Sequence, residues 1–256
     1  MFLDDILHSV RERVAQLRQQ PDRWQPGLAQ GGRARSLVAA IAGHAPMAVI
    51  AECKRRSPSK GLFAADYDPV AIARRYAEAG ASAVSVLTEP NFFEGSLEHL
   101  TQVREAVELP LLRKDFILDP LQVAEARAFG ADAVLIIARI LENDRVRYRE
   151  LLAAADAAGL EALVELHNLR EVDFALSEGP RLVGVNNRDL ETFETRLEVC
   201  REVRPYLGEG VLAVAESGIS SLKDVEQVRA WGYQAVLVGE ALMRGAGLLE
   251  EVAQWR

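Results

Sequence analysis

Apolar and polar positions follow two rhythms along this chain. Near its start, Leu3, Ile6, Leu7, Val10, Val14 and Leu17 recur at helical spacing and form one apolar face. The pattern predicts a helix over 3–19, stopped by Pro21 and Pro26. A second short helix is expected from Arg33 to Ala42, broken by Gly43 and Pro46. From Met47 the rhythm changes to short, nearly continuous apolar runs. These predict buried strands at 47–54, 82–88, 110–115, 133–139, 161–166, 182–187, 211–216 and 235–239. Helical patterns lie between them. Asp68-Pro69 and Asp119-Pro120 each offer an N-cap and a first-turn proline. Gly80, Gly130, Gly159 and Gly232 fall where helices should end.

One unit is repeated: EAGASAVSVLTE, AFGADAVLIIAR, AAGLEALVELH and AWGYQAVLVGE each run from a helix end through a glycine into a strand. Eight such units predict an α/β fold, a closed (β/α)8 TIM barrel over 47–256. Residues 1–46 are expected to be an N-terminal helical extension packed on the barrel. They are too few to form a core of their own, so one structural domain is expected overall. An open doubly wound sheet is the competitor, but it would normally carry a GxGxxG turn after the first strand, and none is there.

Composition narrows the class. The net charge of −8 argues against a nucleic-acid partner, which usually meets a basic face. Two distant cysteines, Cys53 and Cys200, suggest no disulfide framework or metal cluster, and a reducing compartment. The opening MFLDDILHSV lacks the basic region of a signal peptide. No apolar stretch approaches the roughly 20 residues of a membrane span. The expectation is a cytoplasmic protein without membrane contact. A monomer is favoured over an oligomer. The chain ends soon after the eighth helical pattern, so no fused partner domain is expected.

The chemistry gathers at the strand ends, where barrels of this type carry their active sites. In MAVIAECKRRSPSKG, alternation puts Glu52 and Lys54 on one face and Cys53 on the other. It likewise pairs Lys114 and Phe116 with Leu112, and Asn186 and Arg188 with Gly184. Glu165, Glu216, Thr88, Glu89, Asp115 and Arg139 complete the polar ends. A solvated rim or a structural ion pair explains one or two such residues, but poorly explains the whole set. Two ammonium groups in one mouth should lower each other's pKa, giving a lysine able to donate a proton near neutral pH. Glu165 or Glu52 could accept one. Ser217-Gly218 and Gly239-Glu240 follow the last two strands, where such barrels often hold a phosphate with backbone N–H groups. The loop 55–66, with Gly61 and two serines, is expected to be a mobile lid. Phe63, Phe92 and Phe93 could wall an aromatic substrate or simply pack in the core. His167 is expected to be a loop or capping residue. No cofactor and no metal are expected.

The motifs IAECKRRSPSKG, LTEPNFFEGS, LLRKDFILDP, ADAVLIIARIL, LVELHN, VGVNNRDLETF, AESGI and VGEALM follow one another in the order and spacing of a known family. Across nearly its whole length the chain resembles the indole-3-glycerol-phosphate synthases of tryptophan biosynthesis. The resemblance implies a barrel that closes the pyrrole ring of indole by Lys/Glu acid–base chemistry. The substrate would be 1-(2-carboxyphenylamino)-1-deoxyribulose 5-phosphate, a small phosphosugar–anthranilate. By the same resemblance Lys114 is the general acid, Lys54 faces the substrate carboxylate, and Glu165 is the base. Glu52, Asn186 and Glu216 hold sugar hydroxyls and tune the lysines, and Ser217 joins the catalytic set. Ser57 and Arg188 make anion and loop contacts, while Phe93, Phe116 and Leu190 pack on the anthranilate ring. Gly218, Gly239 and Glu240 supply phosphate donors. Residue 240 is serine in some members; a carboxylate there must turn away from a phosphate. Read from the residues alone, a Schiff-base aldolase through Lys114, a phosphosugar isomerase and a non-catalytic phosphosugar-binding barrel are the rivals.

Overall fold

The computed structural model describes residues 2–19, 34–141, 144–245 and 247–255. Pro21, Pro26 and Arg33 lie outside the described residues, so the expected helix stops there are not part of this description. The eight apolar runs form eight parallel strands: β1 (Ala48–Cys53), β2 (Ala83–Leu87), β3 (Leu111–Lys114), β4 (Ala133–Ile137), β5 (Glu161–Leu166), β6 (Leu182–Asn186), β7 (Leu212–Glu216) and β8 (Ala235–Val238). Each pairs with its sequence neighbours, and β1 pairs with both β2 and β8, closing the barrel. The strands match the apolar runs to within two residues at either end. The largest trim is at β4, where Ala138–Leu141 coils into a 3₁₀ turn that carries Arg139.

Local signals explain the intervening helices. Asp68 caps the helix Pro69–Glu78 by accepting from the amides of Val70 and Ala71. Asp119 and Gln122 form a capping box on Pro120–Ala128. At the repeated helix ends, Gly80 and Gly130 have φ of 92° and 91°, a conformation that excludes most side chains.

Alternation along each strand sorts the core into two layers. Val49, Ala51, Cys53, Val84 and Val86 pack outward under the helices. Ala48, Ile50, Leu112, Leu135, Leu163, Val214 and Leu237 fill the barrel itself. The N-terminal extension finds its partners at both ends of that inner layer. Helix α1 (Phe2–Leu17) buries Ile6, Leu7, Val10 and Val14, and its Arg13 and Arg18 reach Asp115 and Asp119 just past β3. Helix α2 (Leu37–Gly43), capped by Ser36, lies at the opposite end. There Glu161, the first residue of β5, accepts from Ser36 Oγ and the Val38 amide. Among the described residues, no helix is long and apolar enough to cross a membrane.

Candidate active site

The carboxyl ends of the strands surround a cavity of about 710 Å³, within the range of small-molecule sites. Its wall contains Glu52 and Lys54 from the end of β1, Ser57 from the following loop, and Phe93 after β2. Lys114 and Phe116 come from β3, and Glu165 from β5. Asn186, Arg188 and Leu190 come from β6 and its loop. Glu216, Ser217 and Gly218 follow from β7, and Gly239 and Glu240 from β8. Cys53, one residue from both Glu52 and Lys54, is fully buried in the outer layer instead.

Lys114 is the centre of this mouth. Its Nζ lies 2.5 Å from Glu165 Oε2 and 3.2 Å from Glu216 Oε2, and both carboxylates are buried. Lys54 Nζ is 2.5 Å from Glu52 Oε1. The sequence suggested two lysines depressing each other; each lysine instead has carboxylate partners of its own. Burial opposes the charge on Lys114, but Glu165, Glu216 and Glu52 outweigh it and hold its pKa above the usual lysine range. The two acids diverge. Burial and the charge of Glu165 push Glu216 up to about 8, against the pull of Lys114. Burial would raise Glu165 as well, but Lys114 and His167 together hold it below the ordinary carboxylate range. These surroundings favour the ionised form of Glu165 and the protonated form of Glu216.

Two glycines make room for these acids. A Cβ on Gly184 would overlap the Glu216 carboxylate, and one on Gly239 would overlap that of Glu52. At the far side of the cavity the chain turns sharply after β7, with Ser217 and Gly218 at φ of 61° and 76°. Among the described residues, the amides of Ser217, Gly218, Gly239 and Glu240 meet no protein acceptor, whereas those of Ser220 and Ser221 donate to Asp224. These four residues line the cavity at the end expected for an anion. The Glu240 carboxylate sits among cations: Arg244 at 3.4 Å, Arg188 at 3.6 Å and Lys60 at 3.9 Å. A side chain on Gly218 would first meet the Thr195 methyl group, not open space.

The aromatic candidates part company. Phe93 faces Phe116 across the cavity, with ring centres 6.3 Å apart, while Phe92 packs edge-on against Phe2 of α1. Phe63 lies under two cations, with Lys54 Nζ and the Arg244 guanidinium each 5.4 Å from its ring centre. The loop after β1 folds into a short antiparallel ladder, Arg56–Ser57 against Gly61–Leu62, and Arg188 donates to Ser59 Oγ at 2.6 Å. Other polar strand ends have structural work. Asp115 is engaged by Arg113, Arg13 and Thr88, which hold it down to about 2 despite full burial. Glu89 accepts from the amides of Asn91, Phe92 and Phe93.

His167 lies in the loop just past β5, as expected, but Asn168 caps the turn that follows. Its side chain is buried, with Nε2 3.1 Å from Glu165 Oε1 and Nδ1 3.3 Å from Glu171 Oε2. The signal was present in LVELHN, because alternation puts residues 165 and 167 on one face.

Comparison with known proteins finds relatives across the whole chain. The family model described as indole-3-glycerol phosphate synthase matches residues 3–254. An indole-3-glycerol phosphate synthase of Carboxydothermus hydrogenoformans is 44% identical over 253 residues, 95% of each chain. One from Roseiflexus sp. (strain RS-1) is 48% identical, covering 86% of this chain and 84% of its own. One from Desulfotalea psychrophila is 42% identical over 100% of this chain and 98% of its own.

Proposed function

The chain belongs to the indole-3-glycerol phosphate synthase family, and from that premise we propose how its residues divide the work of a decarboxylating lyase of tryptophan biosynthesis. The reaction converts 1-(2-carboxyphenylamino)-1-deoxyribulose 5-phosphate into indole-3-glycerol phosphate, CO₂ and water. A carbon–carbon bond forms between the ring carbon bearing the carboxylate and the ribulose carbonyl carbon. The carboxylate then leaves as CO₂, and loss of the former carbonyl oxygen as water completes the pyrrole ring.

Lys114 is the acid that protonates the carbonyl oxygen as the ring carbon attacks. The observation that carries this reading is its ammonium, held between two buried carboxylates at the centre of a substrate-sized cavity. Its raised pKa in the free enzyme makes it a reluctant donor while Glu165 holds it. Substrate therefore has to separate the Lys114–Glu165 pair, after which each partner is free for its own proton transfer. Departure of CO₂ restores the aromatic ring, and Glu165, ionised by its surroundings, takes the proton lost from the methylene carbon beside nitrogen in the dehydration. Lys54 faces the substrate carboxylate and assists dehydration. Glu52, Asn186, Glu216 and Ser217 contact the sugar hydroxyls. Phe93, Phe116 and Leu190 enclose the anthranilate ring, and Ser57 and Arg188 serve as anion and lid contacts. The free amides of Gly218, Gly239 and Glu240 receive the phosphate. The Glu240 side chain, drawn toward Lys60, Arg188 and Arg244, does not take part.

The loop 55–66 closes over bound substrate in this scheme, so product should slow proteolysis near Lys60. Residues 1–46 and the barrel form one unit, and the molecule is a cytoplasmic monomer, its state in solution readable by sedimentation equilibrium. The test of the whole reading is an indole-fluorescence assay with the carboxyphenylamino substrate. Product formation that disappears in Glu165→Gln is the expected result. Full turnover in that variant removes Glu165 as the base.

A further inference from the structure

His167 has no part in the scheme above, yet it touches the proposed base. Its imidazole lies between two carboxylates, Glu165 on β5 and Glu171 on the 3₁₀ turn Leu169–Glu171. Glu171 is fixed in turn. One oxygen accepts from the His167 amide at 2.8 Å, and the other from Asn168 Nδ2 at 2.7 Å and Arg139 at 3.2 Å. A neutral imidazole has one N–H and one lone pair, so between two carboxylates it would turn the lone pair toward an oxygen. Only the imidazolium is attracted on both sides: Nδ1 is in hydrogen-bond contact with Glu171, while Nε2 meets Glu165 as a charge contact without an aligned hydrogen bond. Removed from solvent, that cation lies against one oxygen of Glu165 while Lys114 lies against the other.

Glu216 is the second carboxylate within reach of Lys114, and it has no such partner. Neither of its oxygens accepts a well-aligned hydrogen bond among the described residues. The two acids are alike in type and burial, but Glu165 lies closer to the lysine, at 2.5 Å against 3.2 Å, and accepts its hydrogen bond. The other asymmetry is His167, which lies against Glu165.

We propose that His167 is a positioning residue that holds a permanent positive charge behind Glu165 and thereby decides which of the two acids facing Lys114 is ionised. Glu171 fixes the imidazolium, the imidazolium keeps Glu165 deprotonated and oriented, and the shared proton of the mouth resides on Glu216. The charges packed around the imidazole support this: Glu165 and Glu171 in contact, Glu216 and Lys114 beyond Glu165, and Arg139 beyond Glu171. Burial would discharge the ring, but the two adjacent carboxylates push its pKa up to about 9.

The inference rests on Glu165 as the base, and the experiment separates the two ideas. Histidine ¹⁵N chemical shifts in the wild-type enzyme read the charge directly, with His8, His44 and His99 identified by single substitution. Both ring nitrogens of His167 should be protonated from pH 6 to about 8, within the range its carboxylate partners allow. A neutral tautomer at pH 7 overturns the proposal without reference to catalysis. His167→Gln should lower kcat about 10- to 100-fold with little change in KM, the scale on which residues supporting a reacting group act. The acidic limb of its kcat/KM profile should move up by about one pH unit, because Glu165 then binds a proton more readily. Glu171→Gln should shift the limb in the same direction by less. A lower kcat with an unmoved acidic limb means a merely structural role and refutes the proposal. Should His167→Gln not fold, the wild-type shifts and Glu171→Gln still decide it. Loss of the base role would appear separately, as turnover retained in Glu165→Gln.

Discussion

The two ends of the barrel both bury carboxylates, and they treat them in opposite ways. At the floor, Asp132 accepts from the amides of Arg35 and Leu111, each at 2.8 Å, and pairs with Arg104. Glu161 nearby is bonded to Ser36 and Val38. Two of the donors to Asp132 are backbone amides, fixed by the chain itself. At the mouth, Glu165 and Glu216 share one lysine, and the oxygens of Glu216 lack aligned donors. A buried carboxylate with its lone pairs filled stabilises a fold. Two that compete for one cation hold protons poised to move. The difference between scaffold and chemistry in this barrel is thus one of hydrogen-bond saturation, not of residue type or burial.

Substitutions can break or sharpen that contrast. Lys114→Ala should give the largest effect, a fall in turnover of about 10²–10⁴-fold, the scale of a single general acid. Initial rates by indole fluorescence measure it, and a rate within a few-fold of wild type would remove Lys114 from the mechanism. At the floor, Asp132→Asn should do the reverse. Urea unfolding should show a loss of about 1–3 kcal/mol, as expected for weakening buried polar partners, while kcat per folded molecule stays the same. Lost turnover with undiminished stability would erase the distinction between the two ends.

The pH dependence of stability gives a subtler comparison. Glu216 is raised to about 8 from an ordinary 4.5, and His167 to about 9 from 6.5. A raised pKa means that the folded state binds the proton more tightly. The stability this confers is complete below the unfolded pKa and is lost as pH rises through the folded one. Glu216 should therefore make the protein progressively less stable from about pH 4.5 to 8, and His167 from about pH 6.5 to 9. Glu216→Gln should flatten that decline in thermal melts; an unchanged slope would show that Glu216 does not titrate there. The smallest effect is expected at Glu240. Removing its carboxylate in Glu240→Ser frees Arg188 and Lys60 beside the phosphate end and should lower KM by no more than about fivefold, the scale of one exposed ion pair. A higher KM would mean that the carboxylate helps to hold the closed loop.

The sequence revealed the barrel because its period-two strands and glycine-ended helices are local signals repeated eight times. Alternation also identified the faces: Glu52 and Lys54 inward, Cys53 outward. Pairwise electrostatics stayed hidden, because strand order says that Lys114 and Glu165 share a mouth but not that they touch. Hence the lysines were expected to depress each other, when the nearer charges are carboxylates. His167 lay at the right alternation but just past the strand end, where a histidine reads equally well as a cap. The obstruction of a Gly218 side chain by Thr195 joins residues on separate loops, and no spacing rule connects them.

The straddling of the barrel by its N-terminal extension has a consequence in time. Arg13 and Arg18 find their acids 102 and 101 residues further on, the Arg35 amide finds Asp132 97 residues on, and Val38 finds Glu161 123 residues on. At roughly 5–20 residues per second, a ribosome delivers those partners on the order of 5–20 s after the segment itself has been made. Throughout that interval Ile6, Leu7, Val10 and Val14 have nothing to cover them. The extension is thus synthesised before the barrel it packs on, yet can dock at both ends only after the strands that receive it have been made.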